Sequence, residues 1–437
     1  MRFTPWATRM AMILGLSATA LLTACGGGGG SSNTQVRLLN ATQSYAALDL
    51  SVNDKTINSK IAYANVGSYG DVDTANTATK ILTSDVGTSV SATTPTLASG
   101  TNYTYIAYGF AGAVSTTLLQ EGETAPDSGK AKLLVLNLAP DAGTLDVYIT
   151  TANDSLDTAT AFYTGLVARA GSGYTQINSG TYRVRITGTT KRGTDLRLDQ
   201  TISLDSASVN TLVLTATSSG TLVNGIKLVQ KGAVTNLPNS LSRVRVVHAL
   251  AGTTTATVGV QNTTLMPTSL APNFSNYSSF PAGASNLTAA VNGTALSVSS
   301  VLPTLEAGKD YTLLLWGTAA APNVTPLVDD NRLPSVTGNV KIRLINAMSV
   351  ASALATLNVD YTSLASNVIP GTSSLPTSIS SSTGSVVTVN SPVQLAPLYN
   401  PGSTNSSGLT PLTANGVYTV FIMGDPSSPS GLLQKDR

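Results

Sequence analysis

One motif recurs four times along this chain and limits what it can fold into. A short apolar strand ending in Asn or His appears as Val36-Arg37-Leu38-Leu39-Asn40, Leu133-Leu134-Val135-Leu136-Asn137, Val244-Arg245-Val246-Val247-His248 and Ile342-Arg343-Leu344-Ile345-Asn346, about one hundred residues apart each time. Each copy is followed by a second alternating segment: Leu48-Asp49-Leu50, Leu145-Asp146-Val147, Val258-Gly259-Val260 and Leu357-Asn358-Val359. Apolar residues at i and i+2 share one face of a strand and place the middle residue on the other. A third element reads LASGTNYTYIAYG from Leu97, LEAGKDYTLLLWG from Leu305 and LTANGVYTVFIMG from Leu412, and is degenerate over Leu204–Leu214 in the second copy. A last short strand closes each unit, and aligns Gln120, Gln230, Asp329 and Gln434. Self-similarity at a fixed spacing implies copies of one structural unit.

The text between these marks is strand and turn. Asn292-Gly293 and Asn224-Gly225 are hairpin signals, and Thr181–Ile186 alternates as a half-buried strand does. Outside the first 25 residues no run of 12 or more combines helical period with caps. The expected fold class is all-β, a tandem array of immunoglobulin-like antiparallel β-sandwiches over residues 34–128, 129–238, 239–337 and 338–437. Gly100–Tyr103 and Gly308–Tyr311 resemble the corner tyrosine of such sandwiches.

The first 24 residues read as an export signal. Arg2 and Arg9 precede an apolar run from Met10 to Leu22 that is shorter than the ~20 residues a bilayer span needs. It ends in Leu22-Thr23-Ala24-Cys25, which resembles the bacterial lipobox and marks Cys25, the only cysteine, for lipidation. Residues 25–33 then form the lipidated Cys and a Gly/Ser tether, whose Gly26–Gly30 run lacks the flanking strand and helix of a phosphate loop. Gly26 in place of Asp after the cysteine favours sorting to the bacterial outer membrane. The two leader arginines account for the whole formal charge of +2.

The order of marks, V-R-V-V-H-A, then L-D-V-Y-I, then Y-x-x-x-P-A-G, then L-x-A-G-x-x-Y-T, resembles the bacterial domain of unknown function 4397. Val244–Ala249, Leu145–Ile149, Tyr277–Gly283 and Leu305–Thr312 carry it, so different copies preserve different parts. The resemblance implies immunoglobulin-like domains, common in secreted and lipid-anchored bacterial proteins, and brings no catalytic residues. Asn40 and Asn346 stand where the family typically has His.

Chemistry has few candidates. His248, the only histidine, occupies the slot of Asn40, Asn137 and Asn346 and reads as a strand-end cap. Ala170-Gly171-Ser172-Gly173 lacks the spacing of a nucleophile elbow. Asp71 with Asp73, Asp154 with Asp157, and Asp329-Asp330-Asn331 are the acidic clusters to weigh for calcium, and none has EF-hand spacing. Asp329 and the strand arginines Arg37, Arg245 and Arg343 read as solvated positions, and Lys191-Arg192 as a hairpin tip. Tyr63, Tyr69, Tyr103, Tyr105 and Tyr108 crowd the first copy, either as core or as a sugar- or protein-stacking face, while Tyr108, Trp316 and Met423 share a packing slot. No catalytic, cofactor or metal residue is assigned.

With 11% charged residues and no basic run, nucleic acid is excluded as a partner. The expected function is a non-enzymatic, lipid-anchored envelope protein acting as a binding, adhesion or spacer module. Its partners are the membrane, through acyl chains on Cys25, and a protein or glycan. The alternatives are a periplasmic scaffold or assembly subunit docking through a strand edge, and a hydrolase or carbohydrate-active enzyme, which needs carboxylates gathered in a cleft.

Overall fold

The computed structural model describes residues 33–298, 304–391, 397–404 and 406–437. The leader, the lipobox with Cys25, and Gly26–Ser32 lie outside the described residues. Asn33–Arg437 form one compact unit. Among the described residues the regular structure is β-strand with two short 3-10 turns.

Each repeat is a sandwich of two sheets. The front sheet contains the strand that opens the repeat: in the first, the order is Gly70–Val72, Thr34–Asn40, Asn102–Phe110, Ala113–Gln120. The back sheet runs Lys55–Ala62, Ala47–Val52, Thr79–Thr83, Ser89–Thr93. The other repeats follow this plan, with Lys130–Leu138, Leu241–His248 and Asn339–Met348 as opening strands, except that among the described residues the back sheet of the fourth has three strands, with Ser382–Ser385 and Thr410–Leu412 forming a separate pair. Pairing is antiparallel except at one place in every copy. The opening strand runs parallel to the strand that carries the Tyr-Thr motif, as in Val36 opposite Tyr103, Val244 opposite Tyr311 and Ile342 opposite Tyr418; in the second repeat Leu133 lies opposite Asn210.

Turn chemistry follows the sequence. Asn53-Asp54, Gln261-Asn262 and Asp360-Tyr361 all have positive φ at both residues, the requirement of a two-residue hairpin that matches strand twist. Asn292-Gly293 joins Leu287–Val291 to Thr294–Ala295 as the dipeptide predicts. Asn224-Gly225 does not turn. It lies inside the strand Val223–Val229, where Leu212 and Leu237 pack closely over Gly225.

The corner tyrosines are present in three copies. The hydroxyls of Tyr103, Tyr311 and Tyr418 accept the backbone N–H of Ala98, Glu306 and Thr413 at 3.0, 3.1 and 2.9 Å. Asn210 takes this place in the second repeat and donates to the Ser208 hydroxyl instead.

Front sheets are buried on both sides. Val36 and Leu38 face the core of the first sandwich, while Leu39 and Ala41 join Ile106 and Tyr108 against Leu138, Val213, Ile226 and Leu228 of the second. Likewise Val244 and Val246 face inward, and Val247, Ala249 and Leu314 meet Ile345, Ala347, Phe421 and Met423 of the fourth repeat. Repeats therefore pack in pairs, first on second and third on fourth, through the outer faces of their front sheets. The near-continuous apolar runs of the opening strands are the signature of two-sided burial.

Candidate functional site

The two seams hold the densest polar chemistry in the molecule, and it centres on three arginines expected at the surface. Arg37, Arg245 and Arg343 are only 4%, 5% and 4% exposed. The middle residue of the motif does point away from its own core, but it points into the neighbouring repeat. Each guanidinium donates through Nε to a threonine on the parallel strand: Arg37 to Thr104 at 2.9 Å, Arg245 to Thr312 at 2.8 Å, Arg343 to Thr419 at 2.9 Å. Each threonine hydroxyl in turn donates to a carboxylate at the end of the last strand: Thr104 to Glu121, Thr312 to Asp329 at 2.6 Å, and Thr419 to Asp436 at 2.5 Å.

Asp329 is therefore no solvated edge residue; it is 1% exposed. Its structural counterparts are Glu121, Gln230 and Asp436, one or two residues beyond the Gln120 and Gln434 that the sequence appeared to align with it. Pairing of Tyr103 with Gln120, Tyr311 with Val328 and Tyr418 with Lys435 fixes this register.

The ion pairs differ between the seams. In the first seam Arg37 pairs with Glu121 of its own repeat at 2.9 Å, and the second repeat meets that pair only with backbone, Gly232 O accepting from Arg37 and Lys231 N donating to Glu121, while Lys132 of the second repeat forms its own ion pair with Glu123 of the first. Leu134 and Gln230 replace the charged pair on that side, and Gln230 bonds the Glu123 backbone at both ends of its amide. In the second seam the partners are exchanged. Arg245 of the third repeat pairs with Asp436 of the fourth at 2.5 Å, and Arg343 of the fourth pairs with Asp329 of the third at 2.7 Å. This reciprocity is the pattern of a two-fold symmetric interface, built here within one chain.

A second layer surrounds the exchange. Arg243 pairs with Asp310 at 2.5 Å, Asn331 donates to Asp310 at 2.7 Å, and the Tyr277 hydroxyl donates to Asp329 at 2.6 Å. Two guanidiniums lie over the Tyr277 ring, Arg243 at 4.6 Å and Arg245 at 4.7 Å from its centroid, within cation–π range. Burial would raise the Asp329 carboxyl, but Arg343, Arg245 and the Thr312 and Tyr277 hydroxyls outweigh it and hold it below the usual carboxylate range. Burial likewise opposes ionisation of Asp330, yet Arg332 and Lys341 bring it down to about 2. Carboxylates from two repeats thus meet, in a closed and neutralised seam rather than a cleft.

The second repeat touches the other pair. Asp141 accepts the Leu333 N–H at 2.6 Å, Arg437 donates to Thr221 at 2.8 Å, and Ser279 donates to Leu196 O at 2.6 Å. Arg332 lies 5.0 Å from the Phe110 ring.

The other sequence candidates are accounted for individually. His248 is fully buried, with Nε2 3.2 Å from the Thr254 hydroxyl. Asn40, Asn137 and Asn346 each accept the N–H two residues on and donate to a carbonyl near the end of a back-sheet strand, Ile61, Leu166 and Val368, with Asn137 and Asn346 also reaching Gly143 O and Ala353 O in the following turns. Asp71 binds Gln35 and Asn33, Asp73 the Ala75 N–H, and Asp154 the Thr151 N–H. Among the described residues no three His, Cys, Asp or Glu side chains converge on a point where a metal would sit. Tyr103 and Tyr105 are core, Tyr108 lines the first seam beside half-buried Tyr63, and Tyr69 lies 4.5 Å from the Arg37 guanidinium. Lys191-Arg192 do sit in the turn between Gly180–Gly188 and Leu196–Leu204. The sequence reading missed Thr104, Thr312 and Thr419 with their acids, although one signal was present: Thr and acid are 17 residues apart in all three.

Fold and seams define a class, a tandem β-sandwich protein whose repeats are tied in pairs. A family model described as "Domain of unknown function (DUF4397)" matches residues 34–148 and 242–356, a little over half of the chain, and the chain belongs to this family. No curated protein matches it. Similar solved structures include a candidate cell adhesion protein from Bacteroides uniformis, 14% identical over 46% of this chain and 99% of that one, with a TM-score of 0.21. Another from Parabacteroides distasonis is 9% identical over 70% and 99%, at 0.18. The Bacillus anthracis TIE protein is 10% identical over 90% and 67%, at 0.14.

Proposed function

We propose that this protein is a non-enzymatic, lipid-anchored module of the bacterial outer membrane that binds an envelope or extracellular partner. The observation that carries the reading is the use of charge. The carboxylates and arginines best placed to build a catalytic cleft are enclosed between repeats as neutral Arg–Thr–acid sets. What favours binding over a spacer is that the repeats fold back on one another, through two seams and the contacts of the second repeat with the other pair. The lipobox ending in Cys25 and the glycine tether supply the anchor in this reading, since several acyl chains together hold a protein stably at ~0.8 kcal/mol per buried methylene.

Fractionation of cells making the wild type and Cys25→Ser tests the anchor: the wild type is expected in the outer membrane and the variant in soluble fractions. Protease added to intact cells tests the adhesion version, which fails if the chain stays protected until the outer membrane is opened.

A further inference from the structure

The last long strand of each front sheet comes to an edge, where unpaired N–H and C=O groups can template another strand. Three of these four positions are blocked, each by a different device. In the second repeat Val223–Val229 is covered by an added strand, Val234–Leu237. In the third, Pro322–Asp329 carries Pro322 and Pro326, which have no N–H to offer. In the fourth, Ser428–Lys435 carries Pro429, the Tyr399 ring lies against Gly431, and Tyr399 engages the Leu433 backbone.

The first repeat has no such device. Ala113–Gln120 reads AVSTTLLQ, with no proline, glycine or charge. The two-residue connection Ala111-Gly112 pairs Phe110 with Ala113, so Ala113, Ser115, Thr117 and Leu119 bond inward to Asn102–Phe110, in phase with Glu121 N on Asn102 O at 2.8 Å. Val114, Thr116, Leu118 and Gln120 turn their backbone groups to the open side. Among the described residues no hydrogen bond from another element reaches them. The long edges of the back sheets are all protected: Lys55–Ala62 by two lysines and a bulge, Leu196–Leu204 by Arg197 and Asp199, Thr263–Leu270 by Pro267 and a bulge, and Thr362–Val368 by a bulge.

We propose that Ala113–Gln120 pairs antiparallel with the same strand of a second copy of this chain, joining two front sheets across a two-fold axis. Three features select a second copy as the occupant. The strand is uncharged, so meeting itself opposes no like charges. Thr116 and Thr117 lie at its middle, where self-pairing brings threonine near threonine, a favourable cross-strand combination. A single long unprotected edge among the described residues gives a closed pair rather than a fibre.

Sedimentation equilibrium of the full chain, purified in detergent, tests this. A monomer–dimer equilibrium is expected for the wild type. Thr116→Pro, which removes an outward N–H and leaves the inward ladder intact, and Thr116→Lys are each expected to weaken it at least tenfold with the thermal midpoint little changed. Ser430→Lys on the blocked fourth edge is expected to leave it unmoved. A wild type that stays monomeric at every concentration, or a dimer indifferent to both Thr116 variants, overturns the proposal. So does a monomeric chain that instead forms a Thr116-dependent complex with a different envelope protein.

Discussion

His248 shows how one side chain can carry a legible slot and a hidden consequence. Its position in the Asn series is plain from sequence, but burial is what depresses its pKa. The unfolded chain takes up a proton near the ordinary ~6.5 while the folded chain resists it. Stability present above that pH is therefore expected to fall as pH drops toward the folded value. Urea midpoints measured between pH 5 and 7.5 should show this slope in the wild type and lose it in His248→Asn, which also restores the strand-end bonds of the other copies. The arginines make a sharper case. Removing one partner of a buried pair leaves an uncompensated charge and costs about 3–5 kcal/mol, whereas removing both is far milder. Arg245→Met alone is expected to lower the unfolding midpoint strongly, and Arg245→Met with Asp436→Asn to recover most of it.

At the scale of the strand, alternation was legible and its environment was not. The motif V-R-V-V-H gives an inward and an outward set on sight, and both sets exist. Which outward faces meet water depends on whether another sheet covers them, and that is a property of the assembled repeats. The same limit misplaced Asp329 and its counterparts, because a one-residue change of register carries a side chain to the opposite face. Corner tyrosines were readable because their bond is local, reaching back five residues to a backbone N–H. Tyr311→Phe and Tyr418→Phe each strip a half-buried donor of its acceptor and are expected to cost about 1–3 kcal/mol in denaturant titrations. If either hydroxyl is dispensable, the corner is ornament rather than support.

For the whole molecule the pairing of repeats sets the stability. A fragment of residues 239–437 retains both halves of the reciprocal seam and is expected to fold, with dispersed backbone resonances in two-dimensional NMR. Residues 338–437 alone expose Ile345, Phe421 and Met423 and deprive Arg343 of Asp329, so this fragment is expected to aggregate or stay poorly ordered. Acid should act on the same body. Asp329 and Asp330 have folded pKa values below their unfolded ones, so their contribution is present above about pH 4 and is lost as pH falls through the folded values, about 2 for Asp330. A thermal midpoint that falls steeply across that window is the expected readout.

Sequence by itself determined the local grammar of this protein: four copies, strands and hairpins, the Asn and His slot, and the corner tyrosines. Periodicity and turn chemistry act over a few residues, so they can be read from a few residues. Only the tertiary structure decided which faces of those strands meet, and with that the fate of the arginines. Arg245 lies 191 residues from Asp436 in the chain, and nothing local to either one announces the other. Their bond exists because the outer faces of two front sheets exclude water from each other, leaving two opposite charges with one another as the best available partner.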